Sequence, residues 1–343
     1  MLGEAAVARE ADRRCGSRAM TEPLLRLDDL EKHFGSVRAV DGVSLDILPG
    51  ETLALVGESG CGKSTLARLV LRLTEPTAGH IRFEGRDISR LSQRQLKSVR
   101  RDLQFIFQDP FSSLDPRMRA GTIVTEALAI HGLVAGGEDR RSVAKRLLEA
   151  VGLSERHMNQ WPRQFSGGQR QRLGISRAFA MQPKLIVADE PVSALDVSVR
   201  SQVINLLQDL QDEQGTAYLF ISHDMASVRH MANRVAVMYL GKIVEIAPKQ
   251  AFFAGPKHPY SHALLSAVPI AHPREKRERI LLRGDPPSPA AIPSGCRFHP
   301  RCPIARDRCR IEAPELHETG EGHLAACHYA SSWPLSTSSI VQP

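Results

Sequence analysis

A glycine-rich segment early in the chain has the residue types and the spacing of a phosphate-binding loop. The segment fits the pattern GxxxxGK[ST]. Glycines let the backbone curl so that successive N–H groups point at phosphate oxygens, and a following helix N-terminus adds positive partial charge. The segment therefore predicts binding of a nucleoside triphosphate. Its residues, with the first residue of the predicted helix, are Gly57, Glu58, Ser59, Gly60, Cys61, Gly62, Lys63, Ser64 and Thr65.

Two side chains of this loop should act directly on the nucleotide. Lys63 should reach the β and γ phosphates, and the Ser64 hydroxyl should ligate Mg²⁺. The flanks suit the motif, since Thr52 to Val56 reads as a strand and Thr65 to Leu73 as a helix. Cys61 lies beside Lys63 at a helix N-terminus, which should favour its thiolate, so we expect alkylation of Cys61 to inhibit.

A pair of carboxylates at the end of an apolar run forms the second candidate set. Leu185 to Ala188 reads as a buried strand and is followed by Asp189 and Glu190. Since α/β sheets bind ligands at the carboxyl ends of their strands, Asp189 should lie beside Mg²⁺. Glu190 should extend further and polarise the attacking water as a general base. Together with the phosphate loop, the pair indicates hydrolysis of a nucleoside triphosphate.

The elements that must position these residues read as an α/β sheet. Short apolar runs without alternation suit parallel strands that are buried on both faces. Helical patterns lie between the runs, which argues for a sheet wound with crossover connections. The runs are Leu53 to Val56, Leu103 to Phe107, Leu185 to Ala188 and Ala217 to Ile221.

One stretch breaks the alternation of strand and helix. It reads as consecutive helices at Thr122 to His131, Glu138 to Val151 and Gly167 to Met181, with no convincing strand between them. We therefore predict a helical subdomain inserted at about Gln108 to Arg177.

The remaining motifs resemble those of ATP-binding cassette proteins over about Leu24 to Pro269. The segment FSGGQ looks like the LSGGQ signature of that family, with Phe165 in place of the usual leucine, and it precedes the carboxylate pair by 20 residues. Further matches are an adenine-stacking aromatic, a Q-loop glutamine, a D-loop aspartate and a switch histidine. The signature and these matches are Ser166, Gly167, Gly168, Gln169, Phe34, Gln108, Asp196 and His223.

This resemblance implies a fold and a mechanism. The fold is an α/β, ABC-type P-loop nucleotide-binding domain with a RecA-like core, an antiparallel β subdomain and the inserted helical subdomain. Gln108 is implied as a catalytic residue and a Mg²⁺ ligand, and His223 as a contact to the γ phosphate. A signature behind an inserted subdomain cannot fold onto its own phosphate loop. In the family, two cassettes pair head to tail, so that each signature closes the ATP of the other.

Composition and local sequence patterns indicate a folded protein with a predicted division into four segments. Hydrophobic residues make up 42% and charged residues 24%, as in folded globular proteins. No run approaches the ~18 to 20 apolar residues of a membrane-spanning helix, so we expect any membrane association to go through a partner. We predict a flexible tail at 1–22, an ATPase domain at 23–269, a C-terminal extension at 270–330 and a flexible tail at 331–343. The tail before Met20 has no apolar stretch of a secretory signal, and Met20 is itself a plausible start.

Four of the six cysteines cluster in the extension. Thiolates so grouped can bind zinc or hold an iron–sulfur cluster, and unpaired structural cysteines are the alternative. The surrounding GDPPSP and GCRFHPRCP segments resemble the C-terminal extension of oligopeptide and dipeptide permease ATPases, where four cysteines can carry a [4Fe–4S] cluster. A histidine could instead complete a zinc site. The four cysteines and the three histidines are Cys296, Cys302, Cys309, Cys327, His299, His323 and His328.

The net charge of +7 is concentrated near these cysteines. The segment from His272 to Arg310 contains ten Arg and Lys residues but only four Asp and Glu residues. An anionic four-thiolate cluster would benefit from such arginines, although anionic lipid or nucleic acid would be attracted as well.

The second resemblance implies the ATP-hydrolysing subunit of a bacterial peptide importer at the cytoplasmic face of the inner membrane. Its partners would be a second cassette, two membrane permease subunits and an extracytoplasmic solute-binding protein. We expect the second cassette to be a paralogue, and the sequence does not choose among dipeptides, longer peptides, nickel complexes and related solutes. The alternative is a nucleic-acid-linked ATPase with a basic, metal-binding tail. Those relatives usually carry two cassettes in one chain or long coiled-coil arms. This sequence shows neither feature, so we expect no nucleic-acid partner.

Overall fold

The computed structural model describes residues 22–133, 139–267, 280, 282 and 284–330, apart from the side chains of Pro110 and Ser112. The two predicted tails therefore lie outside the described residues, except for Glu22. So do Glu138, the predicted start of one helix, and the first part of the basic stretch that begins at His272, namely residues 272–279, 281 and 283.

The strands of the described residues form two sheets. They are β1 (Leu25–Phe34), β2 (Val37–Ile47), β3 (Thr52–Val56), β4 (Ala78–Phe83), β5 (Arg86–Asp87), β6 (Leu103–Ile106), β7 (Leu185–Asp189), β8 (Ala217–Ile221), β9 (Arg234–Tyr239), β10 (Lys242–Pro248), β11 (His317–Gly320) and β12 (His323–Ala325).

The helices follow the same chain order, with two short 3₁₀ helices at Glu155–Asn159 and Pro162–Gln164. They are α1 (Lys63–Val70), α2 (Gln93–Asp102), α3 (Pro110–Ser113), α4 (Ala120–Ile130), α5 (Arg140–Glu149), α6 (Gly167–Phe179), α7 (Val197–Gln214), α8 (Met225–Met231), α9 (Lys249–Ala254), α10 (Pro259–Ser266) and α11 (Asp307–Ile311). Within the described ranges, none of them combines the length and the apolar character needed to cross a bilayer.

The larger sheet carries the residues that could do chemistry. Its order is β11-β12-β10-β9-β3-β8-β7-β6, and the strands from β9 to β6 run parallel. Every residue of β3, β7 and β8 is buried, because helices cover both faces of a parallel sheet. The predicted strands are confirmed, although β6 ends at Ile106 and excludes Phe107. The loops after β3, β6, β7 and β8 leave the same edge of the sheet.

The smaller sheet is antiparallel, with the order β2-β1-β4-β5. It is the antiparallel β subdomain expected from the resemblance. Its β2 strand contributes Val37 and Ala39 to the wall of the cavity described below.

A group of helices separates β6 from β7, and no strand is described between those two. It comprises α3 to α6 and the 3₁₀ helices, and α4, α5 and α6 lie close to the predicted helices. Apolar residues of this group, such as Ile123, Leu148 and Leu173, belong to the same buried cluster as Ile186 and Phe220 of the sheet.

The C-terminal extension packs directly on the ATPase core. β12 pairs antiparallel with β10, with Glu245 opposite Ala325 and Ile246 opposite Leu324. The buried Phe298 ring lies 5.3 Å from that of Tyr239. The hairpin of β11 and β12 thus continues the ATPase sheet.

Candidate functional site

The phosphate loop connects β3 to α1 at the carboxyl edge of the large sheet. Its backbone lies so close to the backbone of Met238 and Ala39 that two of its positions leave no room for a side chain. A Cβ at Gly57 would lie 2.3 Å from the carbonyl oxygen of Met238, and one at Gly62 would lie 2.1 Å from that of Ala39. Gly62 also has a φ of 113°, which side chains disfavour. Both glycines are therefore required by the path of the loop.

Lys63 folds its side chain back over the loop. Its Nζ donates hydrogen bonds of 2.8 Å to the carbonyl oxygens of Gly57 and Glu58. The ammonium is held at the loop, where phosphate oxygens can accept the same hydrogens.

A cavity of about 620 Å³ opens in front of the loop. It is large enough for a nucleotide-sized ligand. From the predicted site it is lined by Gly57, Glu58, Ser59, Gly60, Gly62, Lys63, Ser64, Thr65, Gln108, Glu190 and His223. The sequence did not indicate its other lining residues, which are Val37, Ala39, Met225, Leu264 and Pro289.

Three predicted catalytic side chains meet in this cavity. Gln108 Nε2 donates to one carboxylate oxygen of Glu190 at 3.0 Å, and His223 Nδ1 lies 3.1 Å from the other. The three residues follow β6, β7 and β8, so the parallel sheet brings them together. Glu190 has a φ of 47°, in the left-handed region, and its N–H donates to the Ile221 carbonyl at 2.9 Å. Its backbone is thereby fixed at the sheet edge.

Asp189 lies behind this group and offers a place for a divalent cation. The residue is only 7% exposed, and its Oδ1 has no hydrogen-bond partner within the described residues. Burial raises the pKa of Asp189, while a hydrogen bond from Ser64 acts in the opposite direction. An unpaired buried carboxylate oxygen is costly, and the hard oxygen ligands of Asp189 and Ser64 suit Mg²⁺.

The prediction that the loop favours the Cys61 thiolate is wrong. Its thiol is buried, and burial raises its pKa even though Lys63 Nζ lies 3.8 Å from Sγ. Desolvation of the thiolate outweighs the attraction of the ammonium. Cys61 belongs to the loop through its backbone, and its side chain does not line the cavity.

The signature residues lie elsewhere on the chain. Ser166 is the N-cap of α6, where Gln169 N–H donates to its Oγ and Gln169 Oε1 accepts from its N–H. The buried Phe165 supplies the apolar anchor that the usual leucine would give. A Cβ at Gly168 would lie 2.5 Å from a methyl of Val199. None of the positions from Ser166 to Gln169 lines the cavity.

Two further predicted contacts are also outside the cavity lining. Phe34 is 53% exposed, with the Lys32 ammonium 5.0 Å from its ring centroid. Asp196 is the exposed N-cap residue of α7 and makes no side-chain capping bond. Both side chains are open to solvent, so a nucleotide or a second chain can reach them.

The four clustered cysteines line one small cavity together with His299, His328 and Tyr329. All four are free thiols, and burial raises the pKa of Cys302 to about 12 and of Cys327 to about 11. Among the described residues, no three of these sulfur and imidazole ligand atoms come within 4.8 Å of one another.

His323 is not available to such a site. Its Nε2 lies 2.6 Å from the Glu245 carboxylate in a buried pair, and it does not line the cysteine cavity. His299 Nδ1 lies 3.0 Å from the Cys296 carbonyl oxygen, and His328 Nε2 lies 3.0 Å from that of Glu312. Each ring thus has a protein partner already.

Two residues that contact the phosphate loop were missed by sequence reasoning. Arg301 forms a bidentate ion pair with Glu58, at 2.7 and 3.0 Å, and the Tyr260 hydroxyl accepts the Glu58 N–H at 2.7 Å. Arg301 was counted only in the basic excess of the extension. Nothing in the sequence pairs it with a residue so distant along the chain.

The comparisons with known proteins agree with this geometry. Residues 40–193 match the family described as ABC transporter, and residues 244–309 match the oligopeptide/dipeptide transporter, C-terminal region. The chain is 50% identical over 327 residues to the oligopeptide transport ATP-binding protein AppF of Bacillus subtilis, covering 91% of this chain and 99% of that protein. The chain belongs to the ABC transporter ATP-binding proteins. This ABC ATPase is also 51% identical over 320 residues to a probable peptide ABC transporter ATP-binding protein of Sinorhizobium fredii, covering 90% of each.

Solved ABC cassettes share the fold. The dimeric, post-hydrolysis structure of the ATP-binding cassette MJ0796 bound to ADP and Pi superposes with a TM-score of 0.60 at 31% identity, covering 66% of this chain and 98% of that one. The structure of cbiO1 from Clostridium perfringens gives 0.61 at 25% identity, covering 68% and 91%. This ABC ATPase therefore hydrolyses ATP on a cassette fold.

Proposed function

We propose that this ABC ATPase drives the import of peptides or related small solutes through separate membrane permeases. Two curated relatives at about half identity are named for peptide or oligopeptide transport, and the extension matches the C-terminal region of oligopeptide/dipeptide transporters. The observation that carries the proposal is the meeting of Gln108, Glu190 and His223 at the phosphate loop in a chain with that extension.

In this proposal Glu190 is the general base for the attacking water. Gln108 and His223 each hold one of its carboxylate oxygens, which orients the base toward the cavity. Lys63 exchanges its two carbonyl partners for the β and γ phosphates. A positioned base contributes ~10² to 10⁴ in rate.

Mg²⁺ would be held by Ser64 and Asp189, with Gln108 as a further ligand. The unpartnered Oδ1 of Asp189 supports this assignment. When bound, the ion neutralises charge on the phosphate oxygens. The protein's own part is to keep Asp189 buried, with a hydrogen bond from the Ser64 hydroxyl to its carboxylate.

A second cassette completes the ATP site. The signature from Ser166 to Gln169 is outside the cavity of its own chain, so we infer that it closes the ATP of a head-to-tail partner. The dimeric state of the MJ0796 structures supports this arrangement. Phe34 would stack on adenine, and Asp196 would lie at the contact between the chains.

The other partners are two permease subunits and an extracytoplasmic solute-binding protein, at the cytoplasmic face of a bacterial inner membrane. The helices between β6 and β7 expose Phe111, 62% accessible, next to the Gln108 loop. Arg170 covers one side of that ring, 3.4 Å from its centroid. We infer that this surface grips the permeases and relays closure of the ATP site.

We further propose that Cys296, Cys302, Cys309 and Cys327 hold a [4Fe–4S] cluster. The four free thiols line one cavity. Such a cluster would supply four iron–thiolate bonds that fasten the extension. Iron and sulfide analysis of anaerobically purified protein should give about four of each per chain. A colourless sample that contains zinc would overturn this assignment.

The transport function is tested in vesicles that contain the two permease subunits and a second cassette. ATP inside the reconstituted system should drive uptake of labelled peptides when the solute-binding protein is present. The Glu190→Gln protein is the matched control and should support no uptake. Salt-sensitive binding of DNA or RNA, without any association with the permeases, would contradict the proposal.

A further inference from the structure

An ion pair joins the C-terminal extension to the phosphate loop. The Arg301 guanidinium donates to both carboxylate oxygens of Glu58, at 2.7 and 3.0 Å. The Arg301 side chain is only 7% exposed and that of Glu58 28%. Planar bidentate pairing of this kind is geometrically specific.

The position of Glu58 makes its charge important. Glu58 lines the cavity in front of the phosphate loop, which must accept the negative charges of a triphosphate. An unpaired carboxylate there would repel the ligand, and repulsion is strong where solvent is partly excluded. Arg301 neutralises this carboxylate from the side of the extension.

The backbone of Glu58 is fixed by the same neighbourhood. Its N–H donates to the Tyr260 hydroxyl at 2.7 Å, and its carbonyl oxygen accepts from Lys63. Tyr260 packs against Phe298 of the extension, with ring centroids 5.4 Å apart. The extension thus acts on both the side chain and the main chain of this loop residue.

The extension contacts the ATPase core at two more points. Arg297 donates to the Asp41 carboxylate and to the Leu240 carbonyl oxygen. The carbonyl oxygen of Pro289 accepts from Arg38 N–H at 3.3 Å, and Pro289 itself lines the cavity. The ion pair of Arg301 is therefore part of a wider contact.

We propose that Arg301 is a positioning residue of the ATP site. It neutralises Glu58 and holds the phosphate loop open to the triphosphate, so that the C-terminal extension completes the nucleotide site of its own chain.

The test compares ATP binding and hydrolysis in the full-length variants Arg301→Gln, Glu58→Gln and the double variant. Arg308→Gln is the matched control, because Arg308 forms a similar pair with Glu312 in the same extension but is exposed. The readouts are KM for ATP, kcat, and the Kd of a non-hydrolysable ATP analogue at low and high salt.

Arg301→Gln should raise both KM and Kd by about 10-fold while kcat changes by less than about 3-fold, because the unpaired Glu58 carboxylate repels bound phosphate. The increase should shrink at high salt. Adding Glu58→Gln should restore Kd to within about 3-fold of the wild type, since the repelling charge is gone. Arg308→Gln should leave all values unchanged.

Wild-type affinity in folded Arg301→Gln would overturn the proposal, as would a double variant that binds no better than Arg301→Gln. If Arg301→Gln does not fold, Arg301→Lys decides, because lysine keeps the charge and loses the bidentate geometry. Folded Arg301→Lys with KM raised less than about 10-fold would support neutralisation. Loss of ATP binding in folded Arg301→Lys would contradict it.

Discussion

Glu190 combines a reactive side chain with an unusual backbone. Its φ of 47° turns the chain sharply at the end of β7, and the turn places the carboxylate between Gln108 and His223. A side chain held at both oxygens is already oriented before ATP binds. This orientation suits a general base better than a structural role.

Glu190→Gln should bind ATP with near-normal affinity and lose ~10² to 10⁴ of kcat, because glutamine keeps the shape but cannot accept the proton. Steady-state ATPase assays and nucleotide-binding titrations measure the two effects separately. Glu213→Gln, an exposed carboxylate on α7, is the control. Near-normal turnover of Glu190→Gln would remove Glu190 from the role of base.

Cys61 should resist alkylation in the native protein. Its thiol is buried and its pKa is raised by that burial, so both access and the thiolate fraction are low. Peptide mapping after brief iodoacetamide treatment at neutral pH should find Cys61 modified far more slowly than in urea-unfolded protein. Rapid native modification that ATP blocks would instead restore the reactive thiolate expected from the sequence.

The strands show which elements can be predicted from the sequence. β3, β7 and β8 are buried throughout, so their apolar runs identify them. The residues after these strands meet because parallel strands end at one edge. Local pattern and a topological rule therefore suffice for the phosphate loop, Asp189, Glu190 and His223.

The packing of the extension could not be predicted in the same way. The pairing of β10 with β12 joins Glu245 to Ala325, and β12 is only three residues long. Arg301 and Glu58 are even further apart in sequence. Such contacts depend on tertiary placement, which neither periodicity nor motif spacing encodes.

Glu245 is the buried anchor of the added hairpin. It accepts hydrogen bonds from the Lys257 and His258 amides and pairs with His323 of β12. Glu245→Gln should lower the free energy of unfolding by ~2 to 4 kcal/mol, because an amide group then faces donors that need an acceptor. Urea titration measures the loss. Glu321→Gln, exposed on the same hairpin, should change it little.

The stabilisation that the Glu245 carboxylate provides depends on pH. Burial alone would raise the pKa of Glu245, but its hydrogen bonds, above all that from His323, lower it below the ordinary 4.5. A depressed folded-state pKa means that the stabilisation is present above about pH 4.5 and is lost as pH falls through the folded value. The stability difference between wild type and Glu245→Gln should therefore shrink only below about pH 4.5. A difference that shrinks between pH 8 and 6 would contradict this assignment.

At the scale of the whole molecule, four of the five arginines within residues 284–330 of the extension are engaged within the chain. Arg297 pairs with Asp41, Arg301 with Glu58 and Arg308 with Glu312, while Arg306 lies 4.2 Å from the ring centroid of Tyr329. Arg297 and Arg301 thus fasten the extension to the ATPase core, while Arg306 and Arg308 have their partners within the extension. These four arginines are therefore weak support for a nucleic-acid partner.

Complementation between two inactive chains can show whether the ATP site is shared by two molecules. Lys63→Ala disables the phosphate loop, and Ser166→Arg disables the signature, which lies at an exposed helix N-cap. If two copies of this chain pair head to tail, a mixed dimer holds one doubly damaged site and one intact site. The intact site combines the loop of the Ser166→Arg chain with the signature of the Lys63→Ala chain. A mixture of the two proteins should therefore hydrolyse ATP at a substantial fraction of the wild-type rate, although each protein alone is inactive.

The controls for this mixture separate pairing from folding. Both variants should show wild-type circular dichroism, and Ser166→Arg should keep its affinity for ATP because its own loop is intact. Mixing Lys63→Ala with a Lys63→Ala, Ser166→Arg double variant should give no activity, since no intact site can form. An active wild type whose variants fail to complement would contradict a site shared by two copies of this chain. The ATPase activity per molecule should rise with protein concentration, both for the wild type and for the complementing mixture. Such a rise would show that the paired state hydrolyses ATP.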